Sequence, residues 1–535
     1  MTIIHKTIGQ MMTDIAQTYS ERDALIHTEV GIRYSYSSLS NQIDRAAGGF
    51  LHQGIRPGDK VALWAPNLPE WIFSMLALAK IGAMIVPIDP AASTDTSHYI
   101  LEQSECCGLI IAAEIDDQKM METAVAAKKT IPRLEHIFTM DDRPSDENAI
   151  SWKALIADGG KIEKDRLAKI AASVSPQDPV AIMYTSGTTG RPKGVVLDHL
   201  GLINKSMVAT ERQGILGEDK LCLFFPLFHM FGNTCIALAG LLRGAALVMP
   251  CRRFDPAKIL STISAEKCTA IYGSPSMLIA LVDHPHFHKS NWTTLSKGII
   301  GGAPCPMELM RKIVEDIGIS DITVAYGITE TSSWITMTHP RDPIELRVST
   351  IGRPLACNEV KIVDPRNGET LAPDRQGELC TRGLLMKAYY NMPAATAAAV
   401  DRDNWFHTGD LSVMDPEGYV RITGRLKDVI IRNGIDIYPV EVEEIIYMLP
   451  GISEVQVFGF RDSKRKQEVA AWIKMKKDSR TTLDLVSAHV QAQLPAEKIP
   501  KYYKIVSEFP MTGSGKVQKF KLAEMAEKEY IGRSQ

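Results

Sequence analysis

Apolar runs bounded by polar residues alternate with helix-like stretches over the first third of the chain. The runs VALWAP, MIVPID and GLIIAA have the length of buried strands, and Pro69 to Ile81 has the spacing of a helix. Strands that alternate with helices predict an α/β fold with parallel sheets covered by helices. The same rhythm returns later in a second set of segments, which are Leu221 to Phe225, Ala245 to Met249, Pro256 to Ala265, Ala270 to Tyr272 and Gly298 to Gly301. We therefore expect two α/β subdomains.

Turn-forming residues become dense between Gly352 and Arg425. The sequences DPRNG, APDRQG, DRDN and DPEG separate short strand-like pieces, a pattern typical of small antiparallel or barrel-like β structure. After Lys427, about a hundred residues combine apolar strands with helices, enough for a small α+β domain. We predict a domain boundary between Gly424 and Asp428.

The composition excludes several classes of function. The chain has 535 residues, with 60 Lys and Arg against 63 Asp and Glu, and its formal charge of −3 gives no attraction to nucleic acid or to an anionic membrane. Nine cysteines without a C-x-x-C pair fit neither a disulfide framework nor a structural zinc site. Polar residues interrupt every long apolar stretch, so we expect no signal peptide and no membrane span. These observations predict a cytoplasmic protein.

The segment MYTSGTTGRPKG, from Met183 to Gly194, carries the most informative chemistry. Its glycines let backbone N–H groups approach an anion, its hydroxyls add donors and Lys193 adds a cation, a combination suited to a triphosphate. The spacing differs from G-x-x-x-x-G-K-[ST], which disfavours a Walker-type ATPase. An exposed flexible loop is the alternative interpretation. The candidate nucleotide ligands are Thr185, Ser186, Gly187, Thr188, Thr189 and Lys193.

Four further motifs follow this loop along the chain: YGITET (Tyr326 to Thr331), WFHTGDL (Trp405 to Leu411), GRLKDVI (Gly424 to Ile430) and TGSGK (Thr512 to Lys516). With these motifs the chain resembles, over nearly its whole length, the adenylate-forming superfamily of acyl-CoA synthetases, peptide synthetase adenylation domains and luciferase. The similarity is greatest to medium-chain and aromatic or alicyclic acid:CoA ligases. The resemblance implies an adenylate-forming domain over residues 1–424, a hinge at 425–428 and a mobile domain over 429–535.

The resemblance also implies which residues carry out adenylation. Glu330 would hold Mg²⁺ beside the phosphates, a task suited to one carboxylate plus nucleotide oxygens, and a helix-cap carboxylate is the alternative. Asp410 would bind the ribose hydroxyls together with Arg425, and a simple turn is the alternative for Asp410. Lys516 would bridge the carboxylate and the α-phosphate. The other implied nucleotide contacts are Gly301, Gly302, Ala303, Tyr326, Gly327 and Thr329, of which Thr329 would donate to the α-phosphate and Tyr326 would face adenine.

The resemblance also implies which residues take part in thioester formation. Lys427 would be the hinge residue, and Asn433 and Gly434 would line the CoA tunnel, with a plain turn glycine as the alternative for Gly434. Two residues depart from the family pattern, since Asn433 stands where glycine is frequent and Val324 stands where glutamine is frequent.

Two segments are expected to form the acyl pocket, PLFHMFGN and the residues after Glu330. The pocket residues would be His229, Phe231, Gly232, Gly327 and Trp334. His229 would also act in catalysis, and a structural histidine is the alternative. An inward Trp334 would shorten the pocket and favour a compact acid, because each excluded methylene forfeits about 0.8 kcal/mol of burial. A Trp334 packed against a helix would set no such limit. No cation is evident here, which disfavours a dicarboxylate or an amino acid.

Together these residues predict an AMP-forming acid:CoA ligase. ATP would activate a compact acid, whether short or branched, aromatic, alicyclic or of medium chain length, and CoA would then release acyl-CoA and AMP in a reversible reaction. Mg²⁺ is the expected cofactor, no nucleic-acid partner is expected, and a homodimer is left open. One alternative is transfer to the phosphopantetheine of a carrier protein. The other is a silent adenylate-binding protein, which should have lost Lys516, Glu330 or Asp410.

Overall fold

Residue contacts divide the chain into two units in the computed structural model, which describes residues 2–112, 118–142, 146–185, 191–289, 292–462, 466–511 and 517–531. The first unit comprises residues 1–359 and 382–406, and the second comprises residues 360–381 and 407–535. Residues 360–381 and 407–424 therefore group with the second unit, although they precede the boundary expected at 424–428. The hinge itself stays a prediction.

A nine-stranded sheet forms one half of the first unit. Its six inner strands are joined by parallel pairs, and antiparallel strands complete the two edges. Parallel strands bring their carboxyl ends to one edge of the sheet, where ligands commonly bind. In order across the sheet, the strands are Arg353–Pro354, Ser333–Met337, Asp321–Ile328, Lys297–Gly301, Ala270–Gly273, Lys220–Cys222, Ala246–Met249, Asp23–His27 and Ile32–Ser35.

A second sheet of eight strands forms the other half of the first unit. Its central strands Lys60–Trp64 and Met84–Ile88 are buried along their whole length, which explains why the sequence shows continuous apolar runs there. The strands lie in the order Ala388–Tyr389, Lys193–Asp198, Pro179–Thr185, Met84–Ile88, Lys60–Trp64, Gly108–Ile111, His136–Thr139 and Ala149–Ser151.

Helices connect these strands, and their ends follow from local sequence. The helix Pro69–Lys80 begins with proline, whose missing N–H costs nothing at a first turn. The Asp198 side chain caps the helix His199–Gln213 by accepting from Gly201 N. The α-helices of the first unit are Ile8–Thr18, Tyr36–His52, Pro69–Lys80, Thr94–Gln103, Gln118–Thr130, Trp152–Gly159, Lys164–Ser173, His199–Gln213, Ala239–Leu242, Pro256–Glu266, Pro275–Val282, Met307–Arg311, Ile344–Ser349 and Pro393–Ala399. Shorter 3₁₀ turns at Phe287–Lys289 and Thr329–Thr331 and π-helices at Phe231–Leu238 and Lys312–Asp316 complete it.

The second unit is smaller and combines three sheets with three helices among its described residues. A four-stranded sheet takes the place of the expected barrel-like region, a hairpin follows it, and a three-stranded sheet packs around Trp472. The strands, by sheet, are Asn358–Val363, Gly377–Gly383, Phe406–Met414 and Val420–Arg425, then Ile430–Arg432 and Ile435–Ile437, then Ile452–Arg461, Gln467–Met475 and Tyr502–Ile505. The α-helices are Pro439–Tyr447, Leu483–Gln493 and Lys519–Tyr530, and 3₁₀ turns lie at Leu426–Asp428 and Ala496–Lys498.

The fold class expected from the sequence, a large α/β region followed by a small α+β domain, is confirmed. Among the described residues, none of the helices has both the length and the apolar character needed to cross a membrane.

Candidate functional site

The two ends of the predicted phosphate loop meet in the second sheet. Strands Pro179–Thr185 and Lys193–Asp198 pair antiparallel, with Thr185 opposite Lys193. The Arg191 guanidinium lies 4.9 Å from the ring centroid of Tyr99, whose hydroxyl donates to Pro192 O at 3.2 Å. These contacts fix the far end of the loop. The other predicted loop ligands, Ser186, Gly187, Thr188 and Thr189, lie outside the described residues, as does Lys516.

Tyr389 joins this loop to Glu330, the predicted Mg²⁺ ligand. The Tyr389 hydroxyl donates to Glu330 Oε1 at 2.8 Å, and the ammonium of Lys193 lies 4.8 Å from the centroid of the Tyr389 ring. The strand Ala388–Tyr389 pairs with the strand that begins at Lys193, which brings the three side chains together. The backbone of Glu330 is held as well, because its carbonyl accepts from Met386 N at 2.8 Å.

Burial and the neighbouring carboxylate both act on Tyr389, which is 6% exposed. Burial, and then the charge of Glu330, raise the pKa of the Tyr389 hydroxyl above its ordinary range, so the group stays a hydrogen-bond donor. Tyr389 lies outside the motifs that predicted the site. The arrangement places an anion at the hydroxyl and a cation over the ring of a single tyrosine side chain.

The remaining predicted nucleotide residues of the first unit lie where two parallel strands end. Gly301 and Ala325 are register partners, so Gly302 and Ala303 emerge beside Tyr326. Gly302 and Ala303 are exposed, and Tyr326 is half-buried. Glu330 and Thr329 follow at once in the 3₁₀ turn Thr329–Thr331. The structure thus brings these residues to one edge of the nine-stranded sheet.

An unusual backbone follows that turn. Ser332 and Ser333 have φ angles of 56° and 121°, values that side-chain-bearing residues rarely adopt, and they lead into the strand Ser333–Met337. This strand returns antiparallel, so Trp334 becomes the register partner of Gly327. Strain of this kind persists where the surroundings enforce it, and it is frequent at ligand sites.

Trp334 is buried between two predicted site residues. Its ring packs edge-on against Phe231, with centroids 5.1 Å apart, and its six-membered ring lies against the backbone of Gly301. Only 5% of Trp334 is exposed, and its indole Nε1 has no hydrogen-bond partner among the described residues. The indole therefore lies between the expected acyl pocket and the expected adenine strand. Its effect on acid length stays a prediction.

The other predicted acyl residues lie in and before a π-helix, Phe231–Leu238. The Nδ1 atom of half-buried His229 accepts from Phe231 N at 3.1 Å. Gly232 cannot carry a side chain, because a Cβ there would lie 2.1 Å from Pro226 O. Single turns of π-helix are frequent at functional sites, and nothing in the spacing of this segment predicted one.

A buried lysine stands beside Trp334, although the sequence suggested no cation there. Lys205 is fully buried, and its ammonium donates to Trp334 O at 3.2 Å and to Asn358 Oδ1. The Asn358 amide in turn donates to the carbonyls of Trp334 and Ile335. Burial lowers the pKa of Lys205 to about 8. The sequence did not predict the burial of Lys205, because nothing in the pattern of its helix indicates that this position is buried.

A cavity of about 740 Å³ lies elsewhere on the first unit, along residues 383–404 with Asp198. It borders Tyr389, but none of the predicted acyl-pocket residues lines it. The side chains around Glu330, and not this cavity, carry the charges that a nucleotide requires.

In the second unit, Asp410 and Arg425 are register partners on adjacent strands. Arg425 Nε lies 3.1 Å from Asp410 Oδ1, and Asp410 N donates to Thr408 Oγ1 at 3.1 Å. Asp410 is 6% exposed, whereas Arg425 is exposed. The two predicted ribose contacts are thus a pair, and Arg425 orients the carboxylate. Exposed Lys427 follows in the 3₁₀ turn Leu426–Asp428.

Asn433 and Gly434 form the tip of the hairpin between Ile430–Arg432 and Ile435–Ile437. Both have positive φ, 53° and 81°, as a two-residue Asn-Gly turn requires. This geometry explains why Asn is tolerated where the family often has glycine. Both residues are exposed, and their role toward CoA stays a prediction.

Comparisons with known proteins identify the family of the chain. The family described as AMP-binding enzyme matches residues 12–390, and the AMP-binding enzyme C-terminal domain matches residues 441–516. The chain is 39% identical to YngI of Bacillus subtilis (strain 168), named as an acyl-CoA synthetase, over 98% of this chain and 97% of YngI. It is 34% identical to the mitochondrial medium-chain acyl-CoA ligase ACSF2 of Rattus norvegicus, over 98% of this chain and 88% of ACSF2.

A solved structure extends the likeness to three dimensions. ATP-bound MatB from Rhodopseudomonas palustris aligns with a TM-score of 0.85 at 25% identity, over 98% of this chain and 100% of MatB. The resemblance to adenylate-forming acyl-CoA synthetases is therefore confirmed over nearly the whole chain. The chain belongs to the AMP-binding enzyme family and is one of its AMP-forming acyl-CoA ligases.

Proposed function

We propose that this ligase activates a compact carboxylic acid with ATP and Mg²⁺ and transfers the acyl group to CoA. One observation carries the proposal: Lys193, the register partner of Thr185, and Glu330 both contact Tyr389, so the phosphate loop and the expected metal ligand share one support. A carboxylate that attacks an α-phosphate meets another anion, and fixed cations and donors lower that barrier.

The chain supplies these groups from several motifs. Lys193 would bind phosphate oxygens, Thr329 would donate to the α-phosphate, and Lys516 would bridge the two reacting anions. In the second unit, the Asp410 carboxylate held by Arg425 suits the ribose hydroxyls, because it accepts two hydrogen bonds in a fixed orientation. We propose that His229 faces the carboxylate end of the acid.

Glu330 fits the role of Mg²⁺ ligand. Tyr389 occupies Oε1, and among the described residues Oε2 accepts no hydrogen bond, which leaves it for an ion. A single protein carboxylate with nucleotide oxygens and water is a usual Mg²⁺ environment. When bound, the ion would offset negative charge on the phosphates.

The size of the acid is the finer part of the proposal. The indole of Trp334 fills the space between Phe231 and Gly301, which supports a short pocket for a short, branched, aromatic or alicyclic acid. The relative ACSF2 is named as a medium-chain ligase, so medium-chain acids belong among the substrates to test. None of the nine cysteines, all of them among the described residues, forms a disulfide, which supports the cytoplasm as the compartment.

A panel of acids tests the proposal. Purified protein with ATP and Mg²⁺ receives acetate, butyrate, a branched short acid, benzoate, cyclohexane carboxylate, octanoate or palmitate, and AMP release is followed with and without CoA. CoA-dependent AMP release that is largest with compact acids supports it. A maximum at palmitate would contradict the short pocket, and equal AMP release without CoA would favour a different acyl acceptor.

A further inference from the structure

Three metal-ligating side chains meet in the second unit, in a place that the proposed reaction does not use. Glu378 and Cys380 lie two residues apart on the strand Gly377–Gly383, so both point to the same face of the sheet. His407 lies on the neighbouring strand Phe406–Met414. A carboxylate oxygen, the Cys380 sulfur and a His407 ring nitrogen all lie within 4.8 Å of one another.

The contacts within this cluster are short. His407 Nδ1 lies 2.8 Å from Glu378 Oε2 and 3.5 Å from Cys380 Sγ. The second oxygen of Glu378 accepts from Gly409 N at 3.0 Å, which holds the carboxylate in orientation. Glu378 and Cys380 are buried, and the His407 side chain is 31% exposed. Two ligands are therefore fixed in the sheet, and the third faces an entry path.

One of these spacings already matches a tetrahedral ion, and another lies close to it. With Zn–S bonds of about 2.3 Å and Zn–N or Zn–O bonds of about 2.0 Å, tetrahedral angles separate sulfur from nitrogen by about 3.5 Å and nitrogen from oxygen by about 3.3 Å. The sulfur to nitrogen distance already has this value. The Glu378–His407 pair must open by about 0.5 Å, which the half-exposed imidazole permits.

We infer that Glu378, Cys380 and His407 form a Zn²⁺ site. A donor set of thiolate, imidazole and carboxylate suits Zn²⁺, and it does not suit Mg²⁺, which prefers oxygen ligands only. Water entering beside His407 takes the fourth position. Binding releases the thiol proton of Cys380 to solvent. The ion replaces the hydrogen bond between His407 and Glu378, and the proton of His407 Nδ1 moves to Nε2 by exchange with water, so the imidazole stays neutral.

The site lies next to the predicted ribose ligand. His407 precedes Asp410 by three residues, and Glu378 holds the N–H of Gly409. An ion bound here therefore links the strand Gly377–Gly383 to the strand Phe406–Met414, which carries Asp410. No motif marks this cluster in the sequence, because its ligands come from two strands and include only one cysteine.

Cobalt titration of the reduced, metal-stripped, full-length protein tests the site. Co²⁺ bound by a thiolate gives a charge-transfer band, and Zn²⁺ should abolish that band by displacement. We expect one Co²⁺ per chain, and competition with a chromophoric chelator gives the Zn²⁺ affinity. The test needs no substrate, so its outcome is independent of the proposed ligase reaction.

Variants assign the ligands. Cys380→Ser should remove the charge-transfer band, and His407→Gln should keep the band while weakening Zn²⁺ binding at least tenfold, roughly the loss seen even for outer-shell partners. Cys357→Ser is the matched control, because Cys357 is a more accessible thiol in the first unit and should leave both properties unchanged. The inference fails if the wild type gives no band, if the band survives in Cys380→Ser, or if Cys357→Ser removes it. His407→Gln keeps the test decisive if the cysteine variant does not fold.

Discussion

Loss of the Tyr389 hydroxyl is expected to slow adenylation, because this hydroxyl donates a hydrogen bond to Glu330. In Tyr389→Phe the ring that supports Lys193 remains, and only the donor to Glu330 is lost. A hydrogen bond to a charged group contributes about 1.5–3 kcal/mol. If that energy orients Glu330 in the transition state, kcat/KM for adenylation falls by about 10- to 150-fold.

The assay is acid-dependent exchange between pyrophosphate and ATP, measured over a range of Mg²⁺ concentrations. We expect Tyr389→Phe to lower exchange and to require more Mg²⁺, while acyl-CoA formation from a supplied acyl-adenylate stays near the wild-type rate. Pyrophosphate has left before the second reaction begins, so the ion that Glu330 would hold no longer has β- and γ-phosphates beside it, although AMP is still the leaving group.

Tyr390→Phe is the matched control. Tyr390 is the next residue, and its hydroxyl accepts from Lys60 Nζ at 3.0 Å and donates to Glu105 Oε2 at 2.5 Å instead. Exchange should change less than twofold, about the effect of a surface substitution. Equal losses in both variants, or normal exchange in Tyr389→Phe, would show that the hydrogen bond from Tyr389 does not orient Glu330 for adenylation.

Three further predictions concern other parts of the chain. The pKa of Lys205 is about 8 in the folded protein and 10.5 in the unfolded chain. Between pH 8 and pH 10.5 the protein therefore takes up a proton when it unfolds, and its free energy of unfolding rises with pH by about 3 kcal/mol over this range. Lys205→Met should lose this rise, which urea unfolding at pH 7 and pH 10 can measure through tryptophan fluorescence, and equal pH slopes would contradict it. Trp334→Ala should improve kcat/KM for an acid three methylenes longer by about 50-fold relative to the compact acid, and an unchanged ranking of acids would show that the indole does not limit the pocket. Lys516→Ala should abolish pyrophosphate exchange but leave acyl-CoA formation from a supplied acyl-adenylate intact, and parallel losses would exclude a role confined to adenylation.

The sequence predicted a helix or strand most accurately where its local signals agreed. Pro69 to Ile81 was expected to be helical, and the helix runs from Pro69 to Lys80, because a proline start and helical spacing agree. The strand expected at Leu221 to Phe225 is shorter, Lys220–Cys222, since the apolar run continues into buried irregular backbone that periodicity cannot distinguish from a strand.

The candidate site was predictable only as separate motifs. Glu330 and Tyr389 are 59 residues apart, and their contact depends on a pairing between the strand of Tyr389 and the strand of Lys193 that no local pattern encodes. The Asn433–Gly434 hairpin, in contrast, could have been predicted from its turn residues. Lysine is usually exposed, and no pattern in the sequence indicates that Lys205 is buried.

The products formed from ATP, CoA and a compact acid, counted in one reaction, distinguish an acyl-adenylate mechanism from phosphorylation of the acid. We predict that AMP and acyl-CoA appear in equal amounts, and that acid-dependent pyrophosphate exchange occurs without CoA, because adenylation precedes transfer. Formation of ADP, or exchange that requires CoA, would contradict an acyl-adenylate intermediate held by Lys193, Tyr389 and Glu330.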